Sequence, residues 1–152
     1  GIHLTHKLYG RQYDKILLDV PCSGEGMMTI DNDKDFATWS VAHIKRLQQL
    51  QKRILAQAWQ LLKPGGTLVY STCTMAPEED EAVIDYLLRH NQDVHVQQIK
   101  ADLPNRVAPV MSWNGKQFDD QLKFAMRLIP SPEVEAFFVC KLTKLDNATY
   151  GV

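Results

Sequence analysis

Lys15-Ile16-Leu17-Leu18-Asp19-Val20-Pro21-Cys22-Ser23-Gly24-Glu25-Gly26 is the stretch from which the fold of this chain is read. A continuous apolar run that ends in an acid and is stopped by proline fits a strand buried on both faces of a parallel sheet. The two glycines that follow permit a loop with unusual backbone angles. Further along, the apolar period changes from strand to helix. Ile44, Leu47, Ile54, Ala58 and Leu61 share one helical face from about Ser40 to Leu62, with Ser40 as the predicted N-cap. Lys63-Pro64-Gly65-Gly66 ends that helix with a turn, and Thr67-Leu68-Val69-Tyr70-Ser71 reads as a second buried strand stopping at Thr72-Cys73-Thr74. Pro77, followed by Glu78, Glu79, Asp80 and Glu81, predicts a helix start, with the acids capping it and facing solvent at the positive end of its dipole. Val83, Ile84, Leu87 and Leu88 form its buried face. Val94 to Ile99 is a predicted strand, Lys100 to Lys123 is mostly loop, and Met126–Pro130 and Glu135–Leu142 are a closing pair of strands. Ile2 to His6 reads as the tail of an earlier strand. Strands alternating with helices predict an α/β sheet, mostly parallel, with antiparallel pairing at the C-terminal end.

The chain has 152 residues, 45% of them apolar and 23% charged, with 17 Lys+Arg against 18 Asp+Glu for a net charge of −1. A chain of this length buries about 68–70% of its unfolded surface, enough for one domain with a sizeable core. The balanced charge excludes a basic character spread over the whole chain for non-specific nucleic-acid binding, and leaves room for a local patch. No run approaches the roughly 20 apolar residues of a membrane helix, and the start does not read as a signal peptide. Three cysteines are too few for a disulfide framework and predict free thiols in a reducing, cytoplasmic setting. The five histidines show no metal-ligand spacing with the cysteines, so no metal is expected. Gly24-Glu25-Gly26 lacks the Gly-x-Gly-x-x-Gly pattern and is given no phosphate-binding role.

Ligands of open α/β sheets collect at the carboxyl ends of the strands. A parallel pairing would bring Asp19, Cys22 and Cys73 to one such edge, although they lie far apart in the chain. Taken singly, each cysteine fits a small buried hydrophobe, and Cys140, among Phe137, Phe138 and Val139, is read that way. Cys73 also precedes the predicted helix N-terminus, whose amides and dipole favour a thiolate, while nearby acids would oppose it. Lys45, Arg46, Lys52 and Arg53 make a basic stripe along the first helix, either a solvated face or a track for RNA phosphates. Trp39 and Trp59 are assigned to packing.

Asp19-Val20-Pro21-Cys22-Ser23-Gly24, together with Tyr70-Ser71-Thr72-Cys73-Thr74 and Pro77-Glu78-Glu79-Asp80-Glu81, resembles the NOL1/NOP2/Sun family of RNA cytosine-C5 methyltransferases. Gln51…Ile54-Leu55, Leu62 to Val69, and Arg127…Pro130…Phe137-Phe138-Val139 extend the likeness from about Tyr13 to Leu142. The resemblance implies a partial Rossmann-like class I methyltransferase sheet, with residues 1–152 forming the C-terminal portion of the catalytic domain. It further implies S-adenosylmethionine as methyl donor and a ribosomal or transfer RNA as substrate. The Gly-rich cofactor loop would lie outside this chain, which alone would bind the cofactor weakly and not turn over.

By the same resemblance Cys73 is the nucleophile, Cys22 assists product release, and Asp19 hydrogen-bonds the target base. Asp19 and Pro21 are also placed near the cofactor, and Arg127 either contacts RNA or forms a structural ion pair. The base must be single-stranded or flipped from its stack. Cytosine-C5 DNA methyltransferases share the Pro-Cys, but the Thr-Cys with its trailing Pro-Glu-Glu resembles the RNA enzymes. The sequence departs from the family pattern at Asp80, where Asn is usual, at Ser131, where His is common, and at Ala136 of Glu135-Ala136, where Gly is usual. Two other readings stand beside this one: a non-catalytic RNA-binding or assembly module that keeps the fold, and a thiol redox protein using Cys22 and Cys73.

Overall fold

The computed structural model describes Gly10 and residues 12–28, 37 and 39–146; the strand tail expected at Ile2 to His6 lies outside them. In chain order the elements are β1 (Tyr13–Asp19), α1 (Val41–Leu61), β2 (Leu62–Thr72), α2 (Glu81–His90), β3 (Val94–Gln97) and β4 (Arg106–Val107). They continue with β5 (Ser112–Trp113), β6 (Lys116–Gln117), β7 (Met126–Leu128) and β8 (Phe137–Lys144). Six strands form one sheet in the order β1-β2-β8-β7-β4, with β3 also paired to β8, and β5-β6 make a separate hairpin. The architecture is α/β and fits a partial Rossmann-like fold. Among the described residues the sheet is mixed rather than mostly parallel. β1–β2 is the parallel pairing, with Asp19 opposite Ser71, and β2–β8, β3–β8, β7–β8 and β4–β7 are antiparallel.

β8 is the organising strand. Its period-two side chains Phe138, Cys140 and Leu142 are fully buried, as the alternation of a strand covered on one face requires. Against them pack Tyr70 and Leu68 of β2, Leu55 and Trp59 of α1, and Ile84 and Leu87 of α2. Cys140 is therefore a core residue, as expected.

Helix α1 follows its apolar period closely. The Ser40 hydroxyl accepts from the His43 amide at 3.1 Å, which caps its start. At its other end Lys144 Nζ donates to the carbonyls of Trp59 and Leu62, at 3.0 and 3.1 Å, which sets a cation at the negative end of the helix dipole. Trp59 is buried and donates to Asp93 at 3.0 Å, as a packing residue with one polar partner. Trp39 differs from its expected role: it remains 44% exposed, its indole nitrogen donating to Glu25 at 2.7 Å.

Two further expectations are corrected. β1 is not buried on both faces: Ile16 and Leu18 pack on the core, but Leu17 is 75% exposed, because no described residue covers the face on which it stands. Helix α2 begins at Glu81, not at Pro77. The amides of Glu79 and Asp80 both turn back to the carbonyl of Ala76, at 3.0 and 3.2 Å, and residues 77–80 form turns. The predicted solvated acids are the physical reason. Glu79, Asp80 and Glu81 are fully buried and turned inward to partners on distant segments, which a regular first turn would not allow.

Candidate active site

The parallel pairing of β1 and β2 runs one residue past the end of β1, where the Val20 amide bonds the Ser71 carbonyl at 3.2 Å. Beyond that the two chains part, and each delivers a cysteine into the opening. Cys22 Sγ and Cys73 Sγ stand 2.8 Å apart, both half-buried. Asp19 closes the same edge. Its side chain is exposed, with one carboxylate oxygen accepting from the Ser71 hydroxyl at 3.0 Å. The two cysteines singled out in the sequence are thus in contact, and Asp19 stands at the same strand end, bonded to Ser71. Cys73 does not directly precede a helix, however, since α2 starts only at Glu81.

Burial, followed by the hydrogen bond to Cys73, pushes the Cys22 thiol up to about 12. Cys22 therefore stays protonated near neutral pH. Because alkylation requires thiolate, iodoacetamide near neutral pH is expected to modify Cys22 far more slowly than a free cysteine, with the rate rising as pH climbs toward 12. Peptide mapping against time and pH checks this, and modification of Cys22 at the rate of an ordinary thiol near neutral pH would contradict it.

A buried polar cluster joins the two cysteine loops from beneath. Glu79 Oε1 accepts from the Ser23 amide and from Gln51 Nε2, both at 2.9 Å. Its Oε2 accepts from the Ser23 hydroxyl at 2.6 Å, and Ser23 Oγ lies 2.8 Å from Thr74 Oγ1. Gln51 Nε2 also reaches the Pro21 carbonyl at 2.9 Å. Residues flanking both cysteines are thereby tied to one carboxyl group and one helix. Neither Glu79 nor Gln51 was singled out from sequence as part of a site. The available signal was Gln51, a polar residue on the apolar stripe of α1, where burial demands a partner.

On the far side the Gly26 amide bonds the Cys73 carbonyl at 3.0 Å. A Cβ on Gly26 would stand 2.6 Å from Ala136 Cβ and 2.7 Å from the Cys73 carbonyl oxygen. Gly26→Ala is therefore expected to destabilise the protein by about 1–3 kcal/mol and to move the Cys73 loop, as overpacking against backbone does. Denaturant midpoints check it, and an unchanged midpoint would show that the contact yields freely.

Of the two roles open to Arg127, the structure shows the structural ion pair, with the side chain buried. Its Nε and Nη2 each donate to a Glu81 oxygen at 2.6 Å, Nη1 donates to the Met75 carbonyl at 3.0 Å, and Nη2 lies 3.2 Å from Asp80 Oδ2. Burial opposes the charge on Arg127, but the Glu81 bonds outweigh it and hold the guanidinium protonated. Burial also pushes Asp80 well above the usual carboxylate range, against the pull of Arg127. Through Met75 this cluster anchors the segment just after Cys73.

The remaining candidates divide. Lys45, Arg46 and Arg53 are exposed on α1, whereas Lys52 is partly covered, its ammonium 5.1 Å from the centre of the Tyr86 ring. Pro21 is exposed, but its carbonyl is engaged by Gln51. Among the described residues no group of three or more His, Cys, Asp or Glu could hold a metal ion, and no helix is long and apolar enough to cross a membrane.

Two thiols and a carboxylate thus lie at adjoining strand ends of an α/β sheet. Residues 2–143 match the family described as 16S rRNA methyltransferase RsmB/F, and the chain belongs to that family. It is 39% identical over 137 residues to the tRNA (cytosine(49)-C(5))-methyltransferase of Pyrococcus abyssi, a match covering 90% of this chain and 43% of the relative. It is 36% identical over 155 residues to the ribosomal RNA small subunit methyltransferase F of Cronobacter sakazakii, covering 95% of this chain and 30% of that protein. The crystal structure of a methyltransferase homologue from Pyrococcus horikoshii superposes with a TM-score of 0.69 at 38% identity, over 89% of this chain and 40% of the other. The chain thus spans less than half the length of these relatives.

Proposed function

We propose that this chain supplies the catalytic centre for methylation of cytosine C5 in RNA, a ribosomal or transfer RNA, through a covalent adduct on Cys73. The observation that carries the reading is the pair of sulfurs 2.8 Å apart beside the exposed carboxylate of Asp19. Cytosine C5 is a poor nucleophile until sulfur adds at C6. Cys73 Sγ forms that C6–S bond as a thiolate, and the displaced electron pair makes C5 nucleophilic. Asp19, held through one oxygen by Ser71, offers its other oxygen to the N3–N4 edge of a flipped base and stabilises charge that develops on attack.

S-adenosylmethionine, when bound, supplies the methyl group. Asp19 is the residue at this strand end whose charge suits a sulfonium, and Pro21 offers only its ring because its carbonyl holds Gln51. In the release step the C5 proton leaves and the C6–S bond breaks. Cys22, protonated until then, gives its proton to the departing Cys73 sulfur and takes up the one from C5. Lys45, Arg46 and Arg53 are the exposed cations of α1 available to RNA phosphates. A reducing, cytoplasmic compartment suits the two facing thiols.

The test compares the chain itself with a chimera in which it replaces the matched part of the Pyrococcus abyssi relative. Nucleoside mass spectrometry after incubation with RNA and S-adenosylmethionine should find 5-methylcytidine, abolished by Cys73→Ser in the chimera. RNA binding unaffected by that substitution, with no 5-methylcytidine from the unsubstituted chimera, would instead indicate a non-catalytic RNA-binding module.

A further inference from the structure

We infer that Glu79 is a positioning residue whose buried side chain fixes Cys22 against Cys73 and so governs release of the methylated RNA; this rests on the function proposed above. The acid is fully buried and receives donors from two segments remote in the chain: the Ser23 amide and hydroxyl from the Pro-Cys loop, and Gln51 from α1. Ser23 directly follows Cys22, and its hydroxyl is also 2.8 Å from Thr74, which directly follows Cys73. The residue after each cysteine therefore belongs to one hydrogen-bonded unit centred on Glu79. Gln51 extends the unit to the carbonyl of Pro21, the residue before Cys22. Cys22 is thus held from both sides by groups that depend on the same carboxyl. The remainder of the Glu79 residue is equally constrained, since its backbone carbonyl accepts from Tyr70 at 2.7 Å.

The two substitutions at this position have different expected outcomes. Glu79→Ala leaves the Ser23 amide without its acceptor and Gln51 Nε2 with the Pro21 carbonyl alone, and opens space into which the Pro-Cys loop can shift. Glu79→Gln keeps one oxygen for those two donors. Its amide nitrogen can donate to the Ser23 hydroxyl, which then donates to Thr74, and Thr74 has Glu25 as a further acceptor at 3.4 Å. The amide thus preserves the brace by reversing the direction of its hydroxyl bonds.

The distance between the sulfurs is read by the rate at which oxidised glutathione drives the Cys22–Cys73 disulfide, with two glutathione thiols released for each bond formed. In the chain as it stands, Glu79→Ala is expected to slow ring closure by about tenfold, a change of about 1.4 kcal/mol in barrier. Glu79→Gln should remain within about threefold of the unsubstituted chain, on the strength of its satisfiable hydrogen bonds. Val96→Ala, a core change in β3, controls for lost stability and should leave the rate unchanged. Should Glu79→Ala fail to fold, Gln51→Met removes one donor of the same unit and is expected to slow closure in the same direction.

On RNA, in the chimera, Glu79→Ala should accumulate a covalent protein–RNA adduct as Cys22→Ala does, and Glu79→Gln should not. Closure as fast in Glu79→Ala as in the unsubstituted chain, or as slow in Glu79→Gln as in Glu79→Ala, overturns the positioning role. The expected closure rates with no RNA adduct in any variant would uphold the positioning and refute the enzymatic function on which its consequence for release depends.

Discussion

Replacing Cys73 with alanine is expected to abolish methyl transfer, while replacing Cys22 with alanine traps the RNA on the protein. The opposite outcomes follow from unequal roles for two sulfurs at one strand edge. Without Cys73 nothing adds at C6 and C5 stays unreactive, so the loss should be on the order of 10⁴-fold or more, as for other residues that form the covalent intermediate. Without Cys22 the C6–S bond can still form, but the group held protonated beside the departing sulfur is gone. Turnover should then stop with the adduct in place. Denaturing electrophoresis of the chimera with substrate RNA distinguishes the two: a shifted, denaturant-resistant band for Cys22→Ala and none for Cys73→Ala. A band that survives Cys73→Ala and disappears in Cys22→Ala would reverse the assignment.

The second large effect is on stability. Arg127→Ala leaves the fully buried Glu81 without the guanidinium that neutralises it, and removes the anchor on the Met75 carbonyl. Breaking a buried ion pair by deleting one partner costs roughly 3–5 kcal/mol, a large share of the 5–15 kcal/mol that holds a typical domain folded. Glu81→Gln in the Arg127→Ala background should recover part of this. A neutral amide oxygen still accepts from the Val110 amide, which bonds Glu81 at 2.8 Å, and no unpaired charge remains at that position. Urea unfolding of the two single variants and the double variant measures the coupling. Additive losses would show that the pair contributes nothing beyond its separate parts.

The candidate site was legible in the sequence as far as it depends on local pattern. An apolar run ending in Asp19 and stopped by Pro21, and a second ending at Thr72, mark two strand ends, and a parallel pairing brings their cysteines together. Ser40, the α1 period and the closing antiparallel strands were legible for the same reason. What could not be read there depends on partners remote in the chain. Glu78 to Glu81 after Pro77 has the composition of a solvated first turn, and only donors from Ser23, Gln51, Thr72 and Arg127 reveal that three of its acids are interior. Arg127 fits an RNA contact equally well until Glu81 is found against it. The exposure of Leu17 was hidden because an apolar strand does not say what lies over its face. Trp39 reads as a packing residue in the sequence, but the indole bond to Glu25 leaves much of its ring open.

The most direct measurement of the central claim is the identity of the residue that bonds to the base. The chimera is incubated with S-adenosylmethionine and RNA carrying 5-fluorocytosine, in which the missing C5 proton blocks release, and the adduct is digested and mapped by mass spectrometry. The expected result is a nucleotide mass on the peptide containing Cys73, with Cys22 unmodified. A nucleotide on Cys22, or no adduct on either cysteine, would contradict the account.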